Sequence, residues 1–332
     1  MVKLSLVIPV YNVEQYLGAC LASCVDPSRA GEYEIIAVND GSTDASSRIL
    51  AEQAARYPEL IRTVTTENGG LGHARNTGLS LARGDFVAFL DSDDTLAPGA
   101  LGEMLDCLDE DFDITFFDFV AVNEFGRRLA ETKGCPGEEG SFTLAERPEI
   151  IVGPANAVNK LWRRRLFTDS GIRFPDRLWY EDLATSPKLY LHAGRMRYLP
   201  REWYVYLQRG GSITNSTQAE RNREMIPVID SLLEYYRAAG AYERWEKELC
   251  YLAFFHELLT SGTRVSQIDP KSPVLDELLE DFLRRFPAFR RNPYVQAMPP
   301  KYRLLTELIL RRRRLALRAV MRANAAVRRK HR

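Results

Sequence analysis

The residues best suited to chemistry are Asp91-Ser92-Asp93-Asp94, which follow directly on the apolar run Phe86-Val87-Ala88-Phe89-Leu90. Such a run reads as a buried strand, so the spacing brings three carboxylates to its mouth, where they repel one another. The usual compensation is a hard divalent cation, Mn2+ or Mg2+, with oxygen ligands. Such a cation can also neutralise the oxygens of a phosphorylated ligand. Elsewhere in a chain the same four residues would be a solvated turn and helix cap.

Four further groups could complete such a site. Asp40 ends a second apolar run, where its carboxylate can accept hydrogen bonds from a base or ribose; Ser42, Thr43 and Asp44 beyond it read as turn and helix cap. Tyr11 offers an aromatic face to a base, or simply packs, while Pro9 fixes the local backbone. Asn68 and Arg75 flank Gly69-Gly70-Leu71-Gly72, where the free amides of a helix N-terminus can hold a phosphate. The planar fork of Arg75 suits a diphosphate, or an internal salt bridge that organises the acidic loop. Glu181 and Asp182 precede a helical pattern; either they cap it, or Asp182 is the base for an acceptor hydroxyl with Glu181 in support. Lys160, before a helix carrying Arg163, Arg164 and Arg165, and Arg209, beside Gly210-Gly211-Ser212, are lesser candidates for a phosphate or an anionic acceptor. Trp179, Trp203 and Tyr204 could stack on sugar rings, with core packing expected for two of the three.

Positioning these residues requires an α/β framework. Strand patterns at 4–10, 34–39, 61–65 and 86–90 alternate with helical ones at 13–24, 44–56 and 72–82, as in βα units feeding a largely parallel sheet. In open sheets of this kind ligands bind beyond the carboxyl ends of the strands, which is where the candidates fall. The first strand runs into Pro9-Val10-Tyr11-Asn12 rather than a Gly-rich turn, which excludes a dinucleotide-binding dehydrogenase. Residues 114–122 read as another strand, 123–140 as a surface loop or small hairpin, and 203–207 as a last aromatic strand.

Taken in order, Val7-Ile8-Pro9-Val10-Tyr11-Asn12, Val38-Asn39-Asp40-Gly41-Ser42-Thr43-Asp44, Asn68-Gly69-Gly70-Leu71-Gly72-His73-Ala74-Arg75-Asn76-Thr77-Gly78 and Phe89-Leu90-Asp91-Ser92-Asp93-Asp94 resemble the four motifs of family 2 glycosyltransferases. The likeness continues through Asn159-Lys160-Leu161 and Tyr180-Glu181-Asp182 and fades after about Thr214. It implies a GT-A fold: a Rossmann-like, mainly parallel sheet flanked by helices, here with a C-terminal helical region. It also implies an inverting, metal-dependent transfer of sugar from a nucleotide-sugar, with UDP as the nucleotide. The acceptor would be a hydroxyl of a saccharide, lipid-linked or polymer substrate in bacterial cell-surface polysaccharide or cell-wall synthesis. By the same resemblance Asp40 binds the nucleoside, Asp91 meets ribose and the metal shell, Asp93 ligates the metal and Asp182 is the base. His73 stands where the pattern often carries a small residue.

With 332 residues the chain exceeds the size one core usually serves, and two domains are expected: 1–215 catalytic and 216–332 helical, with the boundary near Asn215. Five cysteines without a C-x-x-C pair and four scattered histidines exclude a thiolate or imidazole metal cluster and fit a reduced, cytosolic chain. Neither a signal-peptide core nor an uninterrupted membrane span is apparent. A zero net charge gives no general attraction to nucleic acid, but basic residues crowd the end. Leu308, Leu315 and Ala319 share one side of the last helical pattern, with Arg311, Arg314, Arg318 and Arg322 largely elsewhere, ahead of Arg328-Arg329-Lys330-His331-Arg332. A basic amphipathic helix suits an anionic lipid surface, giving a cytoplasmic protein peripheral at the inner face of the membrane; homo-oligomerisation and nonspecific nucleic-acid attraction are the alternatives. The competing functions are a nucleotidyltransferase making a nucleotide-sugar, which lacks its Gly-rich N-terminal loop here, and a non-catalytic nucleotide- or carbohydrate-binding subunit.

Overall fold

The structure, a computed structural model, describes residues 2–209 and 218–330, with the side chains of the last helix as far as residue 323. The chain forms two compact units, Met1–Ser212 and Ile213–Arg332. The boundary expected near Asn215 and the Gly210-Gly211-Ser212 turn lie outside the described residues.

The first unit is built on one mixed sheet. Its strands are β1 (Leu4–Val10), β2 (Tyr33–Asp40), β3 (Ile61–Thr66), β4 (Phe86–Phe89), β5 (Thr95–Leu96), β6 (Ile114–Asn123), β7 (Arg128–Thr132), β8 (Gly140–Phe142), β9 (Lys160–Arg163) and β10 (Met196–Gln208). They lie in the order β3-β2-β1-β4-β9-β6-β10-β5, with β7 on β6 and β8 on β10. Strands β3, β2, β1 and β4 run parallel, as do β6 and β10, and β9 is antiparallel to both neighbours. Every residue of β1 and β2 is buried, the burial expected of parallel strands covered on both faces.

Helices α1 (Leu17–Ser23), α2 (Ser46–Arg56), α3 (Leu71–Leu81), α4 (Ala100–Asp106), α5 (Arg165–Ser170) and α6 (Ser186–Tyr190) connect the strands. Leu17 and Leu21 of α1 and Met104 and Leu105 of α4 join Leu6, Ile8 and Ile35 of the sheet in one core. On α3, Gly78 lets the helix sit against β1, since a Cβ there would lie 2.3 Å from Val7 Cγ1.

One expectation changes. Lys160 does not precede a helix but opens β9, and Arg163 ends that strand; only Arg165 enters α5. The pairings of β9 with β4 and β6, far away in sequence, override the local pattern. Of the loop or small hairpin expected over 123–140, the structure shows the hairpin, in which β7 pairs with β6.

The second unit is helical: α7 (Met225–Ala238), α8 (Tyr242–Ala253), a π-helical turn at Phe254–Ser261, α9 (Gly262–Ile268), α10 (Val274–Arg285), α11 (Pro293–Gln296), α12 (Pro300–Leu310) and α13 (Arg314–Lys330). The expected single terminal helix is two. Arg312, at φ 51°, breaks it, placing Leu308 on α12 and Leu315 on α13. Part of the basic charge is used internally, because Arg312 pairs with Glu280 at 2.6 Å and Arg314 with Asp276. Leu317 is buried whereas Leu315 is exposed; the side chains of Arg328, Arg329 and Lys330 and all of His331 and Arg332 lie outside the described residues. Among the described residues no helix is long and apolar enough to cross a membrane.

Candidate functional site

The ends of β1, β2 and β4 and the start of α3 bring most of the candidates together. Pro9 is buried within β1, and Tyr11, just beyond it, is 49% exposed. Asp40 ends β2 and is itself buried; Oδ1 accepts from the Gly69 amide at 2.9 Å and Oδ2 from the Gly70 amide at 2.8 Å. The Asn68 side chain donates to the Asp40 carbonyl at 3.1 Å. This corrects the anion-site reading of the glycine turn: the amides of Gly69 and Gly70 already hold a carboxylate from the chain. Asp40 therefore shapes the turn into α3, where Gly70 adopts φ 89°, a value most side chains resist.

From that turn α3 carries Arg75, 2% exposed, into the centre of the site. Nη2 of Arg75 donates to Asp91 Oδ1 at 2.9 Å, and Nη1 donates to Glu181. Its guanidinium packs against the rings of Phe89 and Phe174, 5.9 and 5.4 Å from their centroids. Burial alone would lower its pKa, but Asp91, Glu181 and Asp182 outweigh that effect and hold it charged. Of the two roles open to Arg75, the structure displays the internal salt bridge.

The acidic loop splits by direction. Asp94 turns inward, accepting from the Tyr204 hydroxyl and from the Leu207 amide at 2.7 Å. Burial, then Asp91 and Asp93, push its carboxyl up to about 8. Ser92 is buried beside it in the loop. Asp91 and Asp93 keep side chains 32% and 23% exposed, so two carboxylates face outward where three were expected. Asp93 Oδ2 accepts from Arg209 Nε at 2.9 Å, and burial with the nearby Asp91 charge raises its pKa. The other oxygens of Asp91 and Asp93 are hard donors suited to a divalent cation. Among the described residues no three His, Cys, Asp or Glu side chains stand together as a protein-only metal cage.

Residues 174–182 are stitched to α3. Asn76 exchanges two hydrogen bonds with the Phe174 backbone, at 2.7 and 3.0 Å, and the Arg177 amide donates to the Gly69 carbonyl at 3.1 Å. Gly72 permits this contact, since a Cβ there would lie 2.1 Å from the Pro175 carbonyl oxygen. Tyr180 then turns the chain at φ 66° into Glu181 and Asp182. Glu181 is buried, while Asp182 is partly exposed and accepts from the Leu183 amide at 2.7 Å. Burial raises both carboxyls against the pull of Arg75.

Other candidates fall away. Lys160 is fully buried, donating to the Pro154 and Asn156 carbonyls and to Asn159 Oδ1 at 3.2, 2.5 and 2.7 Å, and burial lowers its pKa to about 7. It cannot contact a phosphate or acceptor from there. Trp203 and Tyr204 are buried, and Trp179 remains half-buried. Asn76, Phe89 and Phe174 lacked any signal of chemistry in the sequence, because their part is to hold Arg75 and the 174–182 segment in place.

Residues 5–167 match the family model for glycosyl transferase family 2. This chain carries a family 2 glycosyltransferase domain. Among its relatives it is 29% identical to EpsH of Bacillus subtilis over 278 residues, 78% of either chain. It is 30% identical over 209 residues to the poly(ribitol-phosphate) β-N-acetylglucosaminyltransferase TarS of Staphylococcus aureus, covering 62% of this chain and 35% of TarS. The structure of TarS 1–349 in complex with UDP-GlcNAc superposes with a TM-score of 0.66 at 22% identity, over 98% of this chain and 92% of that one. A mannosyltransferase from Pyrobaculum calidifontis in complex with GDP-Man and Mn2+ has a TM-score of 0.52 at 16% identity, over 96% and 86% of the two chains. The family 2 domain of this glycosyltransferase therefore adopts a GT-A fold.

Proposed function

We propose that this glycosyltransferase is metal-dependent and inverting, and moves a sugar from a UDP-sugar to a hydroxyl of a cell-surface polysaccharide or cell-wall polymer. The observation that carries this reading is Arg75, which ties Asp91 on the donor side to Glu181 beside Asp182 on the acceptor side. Asp93, with Asp91 in its shell, would hold Mn2+ or Mg2+, which supplies neutralising charge to the departing diphosphate. Asp91 also meets the ribose, while Pro9, Tyr11, Asp40, Asn68 and Ser92 frame the nucleotide pocket. Asp182 accepts the proton of the acceptor hydroxyl, a task its raised pKa suits. In-line attack from the face opposite the diphosphate inverts the anomeric centre in one step. The bound UDP-GlcNAc of TarS, the Mn2+ of the mannosyltransferase and the polymer named as the TarS substrate support these choices. We place residues 1–215 as the catalytic domain and 216–332 as a helical domain that holds the protein at the inner membrane face.

Turnover of a UDP-sugar panel with Mn2+ or Mg2+ and with chelator tests the reading. Activity that survives chelation refutes the metal role. Asp182→Asn should nearly abolish transfer while UDP binding persists; normal transfer by that variant removes Asp182 as the base.

A further inference from the structure

Asp93 already has a cation. Nε and Nη2 of Arg209 converge on Oδ2 of Asp93 at 2.9 and 2.8 Å. Behind them the Arg209 guanidinium carbon lies 4.7 Å from the centroid of the Tyr16 ring. The pair is largely shielded, with side chains 17% and 23% exposed, where charge-assisted contacts are stronger than on an open surface. A guanidinium and a divalent cation on one carboxylate repel each other at short range. We infer that Arg209 is a resident counter-ion of the metal site, which must leave Asp93 before a divalent cation can use it, and so sets the metal affinity of the donor-free protein. The inference rests on the reading of Asp93 as a metal ligand. It changes the part expected of Arg209, from a phosphate contact to a competitor for Asp93. Two arginines, Arg75 on Asp91 and Arg209 on Asp93, thereby balance the outward carboxylates without metal. Arg75 is the more deeply buried, its side chain 3% exposed and joined to Glu181 as well as Asp91, whereas the Arg209 side chain is 17% exposed and sits nearer the rim. That contrast makes Arg209 the arginine to yield.

The test is titration of the full chain with Mn2+ alone, following the electron paramagnetic resonance of the free ion. Arg209→Gln, and Arg209→Met to retain an aliphatic stem against Tyr16, should bind Mn2+ about tenfold more tightly than the native chain, the scale of one charged hydrogen bond released. The gain should vanish when Asp93→Asn is added. Equal affinities in native and Arg209 variants, or no measurable Mn2+ binding by any of them, overturn the inference. If Asp93→Asn weakens binding by the native chain but the Arg209 changes do nothing, the metal reading stands and the competitor role falls. A gain that survives Asp93→Asn removes both.

Discussion

Nη2 of Arg75 lies 2.9 Å from Oδ1 of Asp91, joining the third sequence motif, on α3, to the fourth, beyond the end of β4. The same guanidinium holds Glu181 with its other arm. One side chain thereby sets the distance between the acidic loop and the segment that presents Asp182. A lysine at this position has one compact ammonium and cannot span both partners. Arg75→Lys should reduce sugar transfer by about 100-fold, the scale of an ångström-level misplacement. Arg75→Ala should also destabilise the domain by about 3–5 kcal/mol, because two carboxylates lose a buried partner. Steady-state kinetics and denaturant melts check these outcomes; native turnover by Arg75→Lys would remove Arg75 from the organisation of the site.

Gly72 tests the same coupling from the backbone. An added methyl group would meet the Pro175 carbonyl at 2.1 Å, so α3 and the 174–182 segment must separate. Gly72→Ala should cost about 1–3 kcal/mol as an overpacked contact. Turnover should fall more than UDP affinity, because the displaced residues lead to the proposed base rather than to the nucleotide pocket. An alanine variant with native turnover and melting temperature would contradict this packing.

In the helical unit, burial pushes the carboxyl of Glu257 up to about 9 from an ordinary 4.5, with Arg285 opposing and Asp281 adding to the rise. A raised folded-state pKa means that the native chain binds more protons than the unfolded chain between those values, so stability falls as pH rises through that window. The protonated form contributes its full stability below pH 4.5, and the contribution is lost as pH passes 9. Glu257→Gln, which keeps the shape and stays neutral, should flatten the decline in melting temperature between about pH 5 and pH 9. Parallel declines in the native chain and the Glu257→Gln variant would show that Glu257 does not govern it.

The tail separates membrane attachment from self-association. Deleting residues 324–332 removes Arg328, Arg329, Lys330, His331 and Arg332 but keeps the buried Leu317. Co-sedimentation with phosphatidylglycerol vesicles should drop on deletion, and that of the native chain should weaken with salt, since each basic residue near an anionic surface is worth about 1 kcal/mol. Unchanged vesicle binding, or a loss confined to the oligomeric state in sedimentation velocity, would sink the membrane reading.

The fold of the first half was legible because each apolar run is local: β1, β2, β3 and β4 were expected within a residue or two of their ends. Strand β9 was not legible. Its four residues carry little pattern, and they become a strand only because β4 and β6 lie on either side. The same limit misplaced Lys160, expected before a helix as a contact for a phosphate or an anionic acceptor; its depth depends on the neighbours that close over it and on three oxygens that satisfy its ammonium. Asp94 belonged by spacing with Asp91 and Asp93. Its inward turn depends on Tyr204 and Leu207, both far along the chain.

By itself the sequence determined the family, through the resemblance and order of its motifs, and it placed the acidic loop at a strand end because strand periodicity and turn chemistry act over a few residues. Tertiary structure alone decided which carboxylates face outward, which amides are already satisfied, and which arginine holds which acid. Those outcomes depend on burial and on charges brought together from distant positions, and neither burial nor long-range pairing is encoded in the spacing of neighbours along the chain.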